Sequence, residues 1–360
     1  MKRKLALFFD GTWNKKASHT NVSQLCELTK SEQSFHAKMG ARTTKTESPP
    51  DSPARQVKYY HQGVGVTLGE KIRGGAFGYG LSRNIRDGYK WLAEQYEPED
   101  EIFIFGFSRG AYTARSLVGL IRKCGIPQLK LMDPSDPAHE GLVKQAYHLY
   151  REKQWQPDGR EVTAFKRTFS WPDVKVKFVG VWDTVGALGI PVHGVWFSSD
   201  WYRWFDTELS RIVENAYHAL ALDEHRPDFA ATMWSNAKKP GEGQNIEQRW
   251  FPGSHADIGG GYPDGTLSHI PLRWMQQKAQ ACGLEFTRDV PVEKQAYLGP
   301  MHDSLNDFGF GLYAKLRWIY PLYRPRTSGV NEIIDDSVKA RIDSPEGTNE
   351  HGKRYRPPNI

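Results

Sequence analysis

The sequence has few cysteines and no long apolar run, and each shortage excludes a class of protein. Its three cysteines, Cys26, Cys124 and Cys282, lie far apart and form no C-x-x-C pair, so neither a disulfide framework nor a zinc knuckle is indicated. No apolar stretch approaches the ~20 residues that cross a bilayer. The amino-terminal apolar run, Leu5 to Phe9, is too short for a signal peptide and is typical of a buried strand. We expect reduced packing cysteines and a cytosolic protein, with export that needs no cleaved signal still open.

The composition is that of a globular protein, with 39% hydrophobic and 25% charged residues among 360. This length can bury a sizeable core, and we expect one domain over residues 1–360. The formal net charge of +6 favours anionic partners mildly and is explained by solubility alone. Basic and aromatic residues alternate between Lys315 and Arg326. We interpret that stretch as an edge packed on the domain, and expect no nucleic-acid partner.

Strand and helix patterns alternate along the chain. Short apolar runs predict buried strands at LALFFD, VKYYHQ, EIFIFGF, VKVKFVGVW and RWF. Helical spacing predicts a helix capped by Ser82 and further helices over about 109–124, 208–222 and 268–282. The alternation predicts an α/β fold, in which a mostly parallel sheet carries helices on both faces.

Two segments differ in composition from this core. Residues 31–56 contain almost no large apolar side chains and several prolines and serines, so we predict a long mobile loop. The tail, residues 328–360, is rich in charge, glycine and proline. We expect it to wrap loosely around the domain.

A third segment, residues 192–222, concentrates aromatic side chains that include Trp196, Trp201 and Trp204. Clustered aromatic residues with polar neighbours are suited to a lid or cap, or to a peripheral contact with a lipid interface. Burial beneath a loop is an equally good interpretation, because soluble proteins rarely expose a large apolar patch unless it binds a partner or a membrane.

A serine stands between glycines in FIFGFSRGAYTAR, residues 103–115. Gly106, Ser108 and Gly110 fit the motif G-x-S-x-G, in which the glycines admit a sharp turn that lifts the serine clear of a sheet. The backbone N–H groups that follow, from Arg109 onward, point to where an oxyanion would form. The motif alone is common, but here an apolar strand precedes it and a helix follows. We therefore predict Ser108 as a nucleophile, with a structural turn serine as the alternative.

A nucleophilic serine needs a base, and the base needs an orienting acid. Asp183 follows a strand in GVWDTVGALG, and His255 lies in a loop of small residues in WFPGSHADIGGGY. This gives the order serine, acid, histidine of the α/β-hydrolases. We predict Asp183 as the acid, with a turn or cap role as the alternative, and His255 as the base. Asp257, which is suited to orienting a histidine or binding a loop amide, is a secondary candidate. So is His225, for which we expect a surface salt bridge or cap.

The turn FFDGTWN is placed to supply a second oxyanion donor. Gly11 permits close backbone approach, the Asp10 carboxylate is expected to brace the loop by accepting amide hydrogens, and Thr12 belongs to the same turn. A plain strand-to-loop turn explains these residues equally well. The turn also resembles the D-x-D-G-T motif of haloacid-dehalogenase-like phosphatases, but Phe8 replaces the attacking aspartate. The stretch Gly65 to Lys71 has the wrong spacing for a Walker loop.

Six separated motifs together resemble one family. They are FDGTWN, GVG with a glycine-rich run after it, GFSRGAYTAR, GVWDTVGALG, HALALDEHRPDF and WFPGSHADIGGGY. In this order, from about Leu5 to Trp274 and with a closing YRPPNI, they are similar to the α/β-hydrolase domain of the first class of type VI secretion lipase effectors.

This resemblance implies an α/β-hydrolase fold with Ser108 as nucleophile, Asp183 as acid and His255 as base. It also implies hydrolysis of carboxylic esters without cofactor or metal, with phospholipids as the characterised substrate class and an immunity or secretion protein as partner. The chain has little room for the membrane-anchoring module of larger effectors, which weakens a toxin role more than a hydrolase role. A binding module without activity and a phosphoester hydrolase on the same scaffold stay open.

Overall fold

A computed structural model describes most of the chain, and the side chains of residues 16, 44, 46–47 and 75–79 are not described. The described residues are 2–11, 14, 16–37, 44–47, 55–63, 75–133, 135–152, 156–185, 209–226, 229–235, 243–304, 329–358 and 360.

Nine strands in these ranges form one sheet. In chain order they are β1 Lys4–Phe9, β2 Gln33–Ala37, β3 Thr44–Glu47, β4 Gln56–His61, β5 Glu101–Phe107, β6 Val176–Trp182, β7 Val213–Ala221, β8 Asn245–Phe251 and β9 Glu332–Ile334. The spatial order is β3-β2-β4-β1-β5-β6-β7-β8-β9, and all neighbours are parallel except β2 and β3. Because parallel strands end at one edge of a sheet, the turns after β1, β5, β6 and β8 can meet there.

Helices cover both faces of the sheet. They are α1 Asn21–Leu28, α2 Gly75–Gln95, α3 Arg109–Cys124, α4 Ala138–Arg151, α5 Arg160–Phe169, α6 His255–Gly259, α7 His269–Ala281 and α8 Asp336–Asp343, with three-residue 3-10 turns at Lys16–Ser18, Leu129–Leu131 and Ala296–Leu298. Leu5 and Leu7 of β1 pack with α2 to α5, whereas Ala6 and Phe8 pack with α1 and α7. This two-sided burial accounts for the continuous apolar strand runs, and the predicted α/β-hydrolase-like sheet is confirmed.

The predicted helices over 109–124 and 268–282 are confirmed, but the helix assigned to Ser82 begins earlier, at Gly75. Glycine has a low helix propensity, so the glycine-rich sequence before Ser82 did not indicate that the helix begins there. Among the described residues, no helix combines the length and the apolarity that a membrane span requires.

The prediction of a mobile loop over residues 31–56 is wrong where strands occur. Gln33–Ala37 pairs in parallel with β4, and Thr44–Glu47 pairs antiparallel with Gln33–Ala37 at the edge of the sheet. Most of β2 is only half-buried. A strand near the edge of a sheet that buries little surface needs few apolar residues, so the sequence of β2 has the composition of a loop.

The helix predicted over residues 208–222 is also wrong, because Val213–Ala221 is strand β7 between β6 and β8. A short apolar run such as YHALAL does not distinguish a buried strand from a buried helix. These residues therefore belong to the core and not to a lid. Trp196, Trp201 and Trp204, on which the lid prediction depends, lie outside the described residues.

The tail, residues 328–360, is an integral part of the fold and not a loose wrap. It adds strand β9 beside β8 and helix α8. Tyr355 and Arg341 are each only 1% exposed, and the Arg341 guanidinium donates hydrogen bonds to the carbonyls of Tyr297, Gly299 and Thr348. A buried cation is tolerated when its donors are satisfied in this way, so a charge-rich sequence did not indicate the packing.

Candidate active site

The serine elbow joins the end of β5 to the start of α3. Ser108 has φ 56° and ψ −120°, a conformation that a residue with a side chain rarely adopts and that costs about 1–3 kcal/mol. The surrounding structure holds it there: the Ser108 amide donates to the Trp182 carbonyl on β6 at 3.1 Å, and the Ser108 carbonyl accepts the Tyr112 amide at 3.2 Å. The elbow places the hydroxyl at the carboxyl edge of the sheet and at a helix amino terminus.

The two glycines of the motif are needed because backbone segments approach each other closely. A Cβ on Gly106 would lie 2.4 Å from the Gly110 carbonyl oxygen, and a Cβ on Gly110 would lie 2.1 Å from the Phe9 carbonyl oxygen. These distances are below van der Waals contact, and neither neighbour is a flexible side chain. The motif therefore seats α3 directly against the end of β1.

Gly110→Ala is expected to lower the free energy of unfolding by at least about 2 kcal/mol, because the new methyl group forces β1 and α3 apart. The matched control is Gly141→Ala on α4, where an added Cβ meets nothing within 4 Å. That variant should gain about 0.5–1 kcal/mol, because alanine favours helix. Urea unfolding of both variants measures the difference, and equal stabilities would contradict the close approach.

The three predicted residues, from the turns after β5, β6 and β8, lie in hydrogen-bond contact. His255 Nε2 is 2.9 Å from Ser108 Oγ, and His255 Nδ1 is 2.6 Å from Asp183 Oδ2. Because a carboxylate can only accept, Nδ1 carries the proton and Nε2 is left to accept the serine hydroxyl. Exposure is 6% for Ser108, 0% for Asp183 and 7% for His255. The arrangement can transfer a proton from the serine to the imidazole.

Asp183 is fixed by backbone from the neighbouring strand β7. Its amide donates to Ala219 O at 2.7 Å, and its Oδ1 accepts the Ala221 amide at 3.0 Å. The next amide, that of Thr184, donates to Nε2 of the buried His218 at 3.1 Å. One carboxylate oxygen is therefore bound by the end of the neighbouring strand β7, and the other faces His255.

His255 is the first residue of the short helix α6 and not a loop residue as predicted. Its ring packs against Phe107 and Phe229, with centroids 4.6 and 5.2 Å away. Burial lowers the pKa of His255, and the charge and hydrogen bond of Asp183 oppose that shift. A base must be neutral to accept a proton, and the lowered pKa keeps His255 neutral at physiological pH.

Asp10 braces the turn after β1, as predicted. Its carboxylate accepts the Gly11 amide at 2.7 Å, the Thr20 hydroxyl at 2.8 Å and the Tyr60 hydroxyl at 2.7 Å. Burial raises the pKa of Asp10 to about 6, against the effect of these hydrogen bonds. A carboxylate that is 2% exposed and bound in this way is poorly placed to attack a phosphoester.

The prediction for Gly11 needs a correction. Its α-carbon does approach the elbow, because an added Cβ would lie 3.5 Å from Ser108 Cβ. However, its N–H is already donated to Asp10, so Gly11 offers proximity and not a free oxyanion donor. Thr12, in the same turn, lies outside the described residues.

The secondary candidates serve other partners. Asp257 does orient a histidine, but it is His302, with Nδ1 2.7 Å from Asp257 Oδ1. His225 forms an ion pair with Glu350 at 3.2 Å, and both side chains are 6% exposed. The predicted salt bridge is present, whereas its predicted surface location is wrong, because the tail covers it.

Glu224 and Arg226, on either side of His225 in HALALDEHRPDF, were not among the predicted site residues. Glu224 is fully buried, pairs with Arg226 through two hydrogen bonds of 2.8 Å, and accepts the His255 amide at 3.2 Å. The signal was the cluster of charges in ALDEHRPDF, directly after an apolar run. Charges at that place can only be buried if they pair with one another.

Known proteins share parts of this sequence and fold. The family model described as "T6SS, Phospholipase effector Tle1-like, catalytic domain" matches residues 3–278. The uncharacterized protein YEL023C of Saccharomyces cerevisiae is 32% identical over 200 residues, in a match that covers 49% of this chain and 27% of the yeast protein.

Two solved structures superpose on most of the chain. An uncharacterized protein from Pseudomonas aeruginosa has a TM-score of 0.45 and 17% identity, over 79% of this chain and 46% of that one. An esterase from Thermogutta terrifontis has a TM-score of 0.37 and 12% identity, over 78% and 84% of the two chains. This chain spans less than half the length of the yeast and Pseudomonas proteins. Both superpositions are loose, so the fold assignment depends on the strand order.

The match to the family model extends from β1 to α7 and contains Ser108, Asp183 and His255. It therefore covers most of the chain and the three side chains that meet at the carboxyl edge of the sheet. The chain belongs to the family of the Tle1-like catalytic domain of type VI secretion phospholipase effectors.

Proposed function

We propose that the protein is a serine hydrolase that cleaves carboxylic esters and that phospholipids are its substrate class. Family membership supports a lipase- or esterase-type hydrolase. The observation that carries the finer proposal is the pair of contacts at His255, 2.9 Å to Ser108 and 2.6 Å to Asp183. A serine hydroxyl in such a relay becomes a nucleophile toward an acyl carbon.

In the proposed mechanism, His255 Nε2 accepts the Ser108 proton as Oγ attacks the ester carbonyl. Asp183 holds the Nδ1 proton and stabilises the imidazolium that forms. The developing oxyanion lies near the backbone amides at the start of α3, beginning with Arg109, where the positive end of the helix dipole favours negative charge. Collapse of the tetrahedral intermediate releases the alcohol, which takes its proton from His255.

The second half of the cycle hydrolyses the acyl-enzyme. Water gives a proton to His255 Nε2 and attacks the acyl carbon, and Ser108 Oγ leaves with that proton. The products are a carboxylic acid and free enzyme. His255 thus acts as base and then as acid in each half, and Ser108 is the nucleophile in the first half and the leaving group in the second.

Product analysis tests this proposal and separates it from its alternatives. We expect purified protein to hydrolyse short acyl esters and to release free fatty acid from phospholipid vesicles, as detected by mass spectrometry. Cleavage at the phosphodiester would instead give phosphatidic acid or diacylglycerol, and would support the phosphoester alternative. Tight lipid binding with no product from either bond would favour a binding module. Peripheral contact through Trp196, Trp201 and Trp204, an immunity or secretion partner, and export all remain proposals from the sequence.

A further inference from the structure

Three consecutive amides in the turn that carries His255 each donate to a buried carboxylate. This segment, residues 253–255, is called the base turn below. Its contacts are Gly253 N to Asp223 Oδ2 at 2.7 Å, Ser254 N to Asp257 Oδ2 at 2.9 Å and His255 N to Glu224 Oε2 at 3.2 Å. The exposure of these carboxylates is 5% for Asp223, 2% for Asp257 and 0% for Glu224. The position of the imidazole therefore depends on how the carboxylates are held.

Each of the three carboxylates is bound a second time by a side chain from the last part of the chain. The Tyr355 hydroxyl donates to Asp223 at 2.8 Å, the Ser304 hydroxyl donates to Glu224 at 2.9 Å, and His302 Nδ1 lies 2.7 Å from Asp257. We call His302, Ser304 and Tyr355 the carboxyl-terminal support. All three lie beyond residue 278, where the match to the family model ends.

The support residues are themselves fixed. Tyr355 is 1% exposed and Ser304 is 4% exposed. The His302 ring stacks on Tyr262 at a centroid distance of 3.5 Å and an interplanar angle of 10°. These side chains are therefore rigid donors, and a rigid donor selects one orientation of the carboxylate that it binds.

The carboxylates need these donors to keep their orientation. Both oxygens of Glu224 accept hydrogen bonds from the Arg226 guanidinium and also contact the Ser304 hydroxyl, and burial raises the pKa of Asp223 to about 7. If Tyr355 or Ser304 lost its hydroxyl, a buried acceptor position would be left unfilled, and the carboxylate would rotate or admit water. Either change moves the base turn, and a displacement of about 1 Å in a reacting group costs as much as 100-fold in rate.

We propose that His302, Ser304 and Tyr355 are positioning residues, which hold His255 at its distance from Ser108 through Asp223, Glu224 and Asp257. The imidazole of His255 is thus held in position by a part of the chain that lies outside the match to the family model. The inference rests on the proposed esterase function for one of its two readouts.

The test is the double variant Ser304→Ala with Tyr355→Phe, compared with a matched double control. The control is Ser170→Ala with Tyr89→Phe, which also removes two buried hydroxyls. Each donates to a carbonyl at 2.8 Å at the carboxyl end of α3, far along the chain from the base turn. We expect the support variant to lose roughly 10- to 100-fold in kcat with KM within about 2-fold. The control should retain kcat while losing a similar amount of thermal stability.

A second readout does not need turnover. The Nδ1 proton that His255 donates to Asp183 should give a low-field proton NMR signal that is absent in His255→Ala. We expect that signal to shift or broaden in the support variant and to stay unchanged in the control. If the double variant does not fold, the single variants and His302→Ala give the same comparison.

The outcomes separate this inference from the proposed function. Support variants that match the control in both kcat and the proton signal would overturn the positioning role, even with an active enzyme. If wild type were inactive on esters and lipids, the esterase proposal would fail, and the proton signal would still decide the inference.

Discussion

Ser108→Ala is expected to lower kcat on a short acyl ester by at least ~1,000-fold, with little change in fold. The variant removes the Oγ that lies 2.9 Å from His255 Nε2, and a methyl group can neither attack a carbonyl nor give up a proton. Alanine experiences the same backbone strain as serine at φ 56°, so the elbow itself should persist. Initial rates with the purified variant and a thermal melt measure both effects.

The matched control is Ser116→Ala, two turns further along α3 and also buried, at 3% exposure. It loses a hydroxyl of the same kind from the same helix and should retain kcat within about 2-fold. Similar activity of Ser108→Ala and wild type would exclude the serine mechanism. If wild type and Ser108→Ala were equally inactive on every ester and lipid tested, the alternative function of a binding module without activity would be favoured instead.

Asp183→Asn is expected to lower kcat by about 10⁴-fold at neutral pH. The Ala221 amide donates to one oxygen of Asp183 at 3.0 Å, and the other oxygen faces His255 Nδ1 at 2.6 Å. In the variant, the amide oxygen is required opposite Ala221, so the NH2 group must face the imidazole. Nδ1 then has to accept a hydrogen bond, the ring proton moves to Nε2, and the base can no longer take the serine proton.

A control variant tests whether the loss of any buried negative charge, even one far from His255, would lower kcat in the same way. Asp100→Asn is the control, because Asp100 is also buried, at 8% exposure, and pairs with Arg3 at the opposite edge of the sheet. It should lower stability and leave kcat unchanged. A loss of less than about 10-fold in Asp183→Asn would show that His255 does not depend on this carboxylate for its tautomer.

The central strands and the convergence of the three site residues could be predicted from the sequence for a physical reason. A strand buried on both faces needs a continuous apolar run, and EIFIFGF and VKFVGVW are such runs. A parallel sheet then brings the residues that follow its strands to one edge, so Ser108, Asp183 and His255 were placed together although up to 147 positions separate them in sequence.

Other features depend on partners that local sequence does not reveal. Strand β7 has an apolar run that a helix could also use, and its identity is set by β6 and β8 on either side. Strand β2, next to the edge strand β3, is polar because most of its side chains are only half-buried. The burial of Glu224 depends on partners that only the fold supplies, since the His255 amide and the Ser304 hydroxyl reach it from 31 and 80 positions away. Buried polar networks join segments that are distant in sequence, and neither hydrophobic periodicity nor a short motif predicts such contacts.

The most direct test of the account is reaction of the wild-type protein with a fluorophosphonate ester, followed by intact and peptide mass spectrometry. An activated serine displaces fluoride and keeps the phosphonyl group. We predict one adduct per chain, on Ser108, and none after His255→Ala or Ser108→Ala. An adduct on another residue, or no adduct on a folded wild-type protein, would contradict the claim that His255 makes Ser108 a nucleophile.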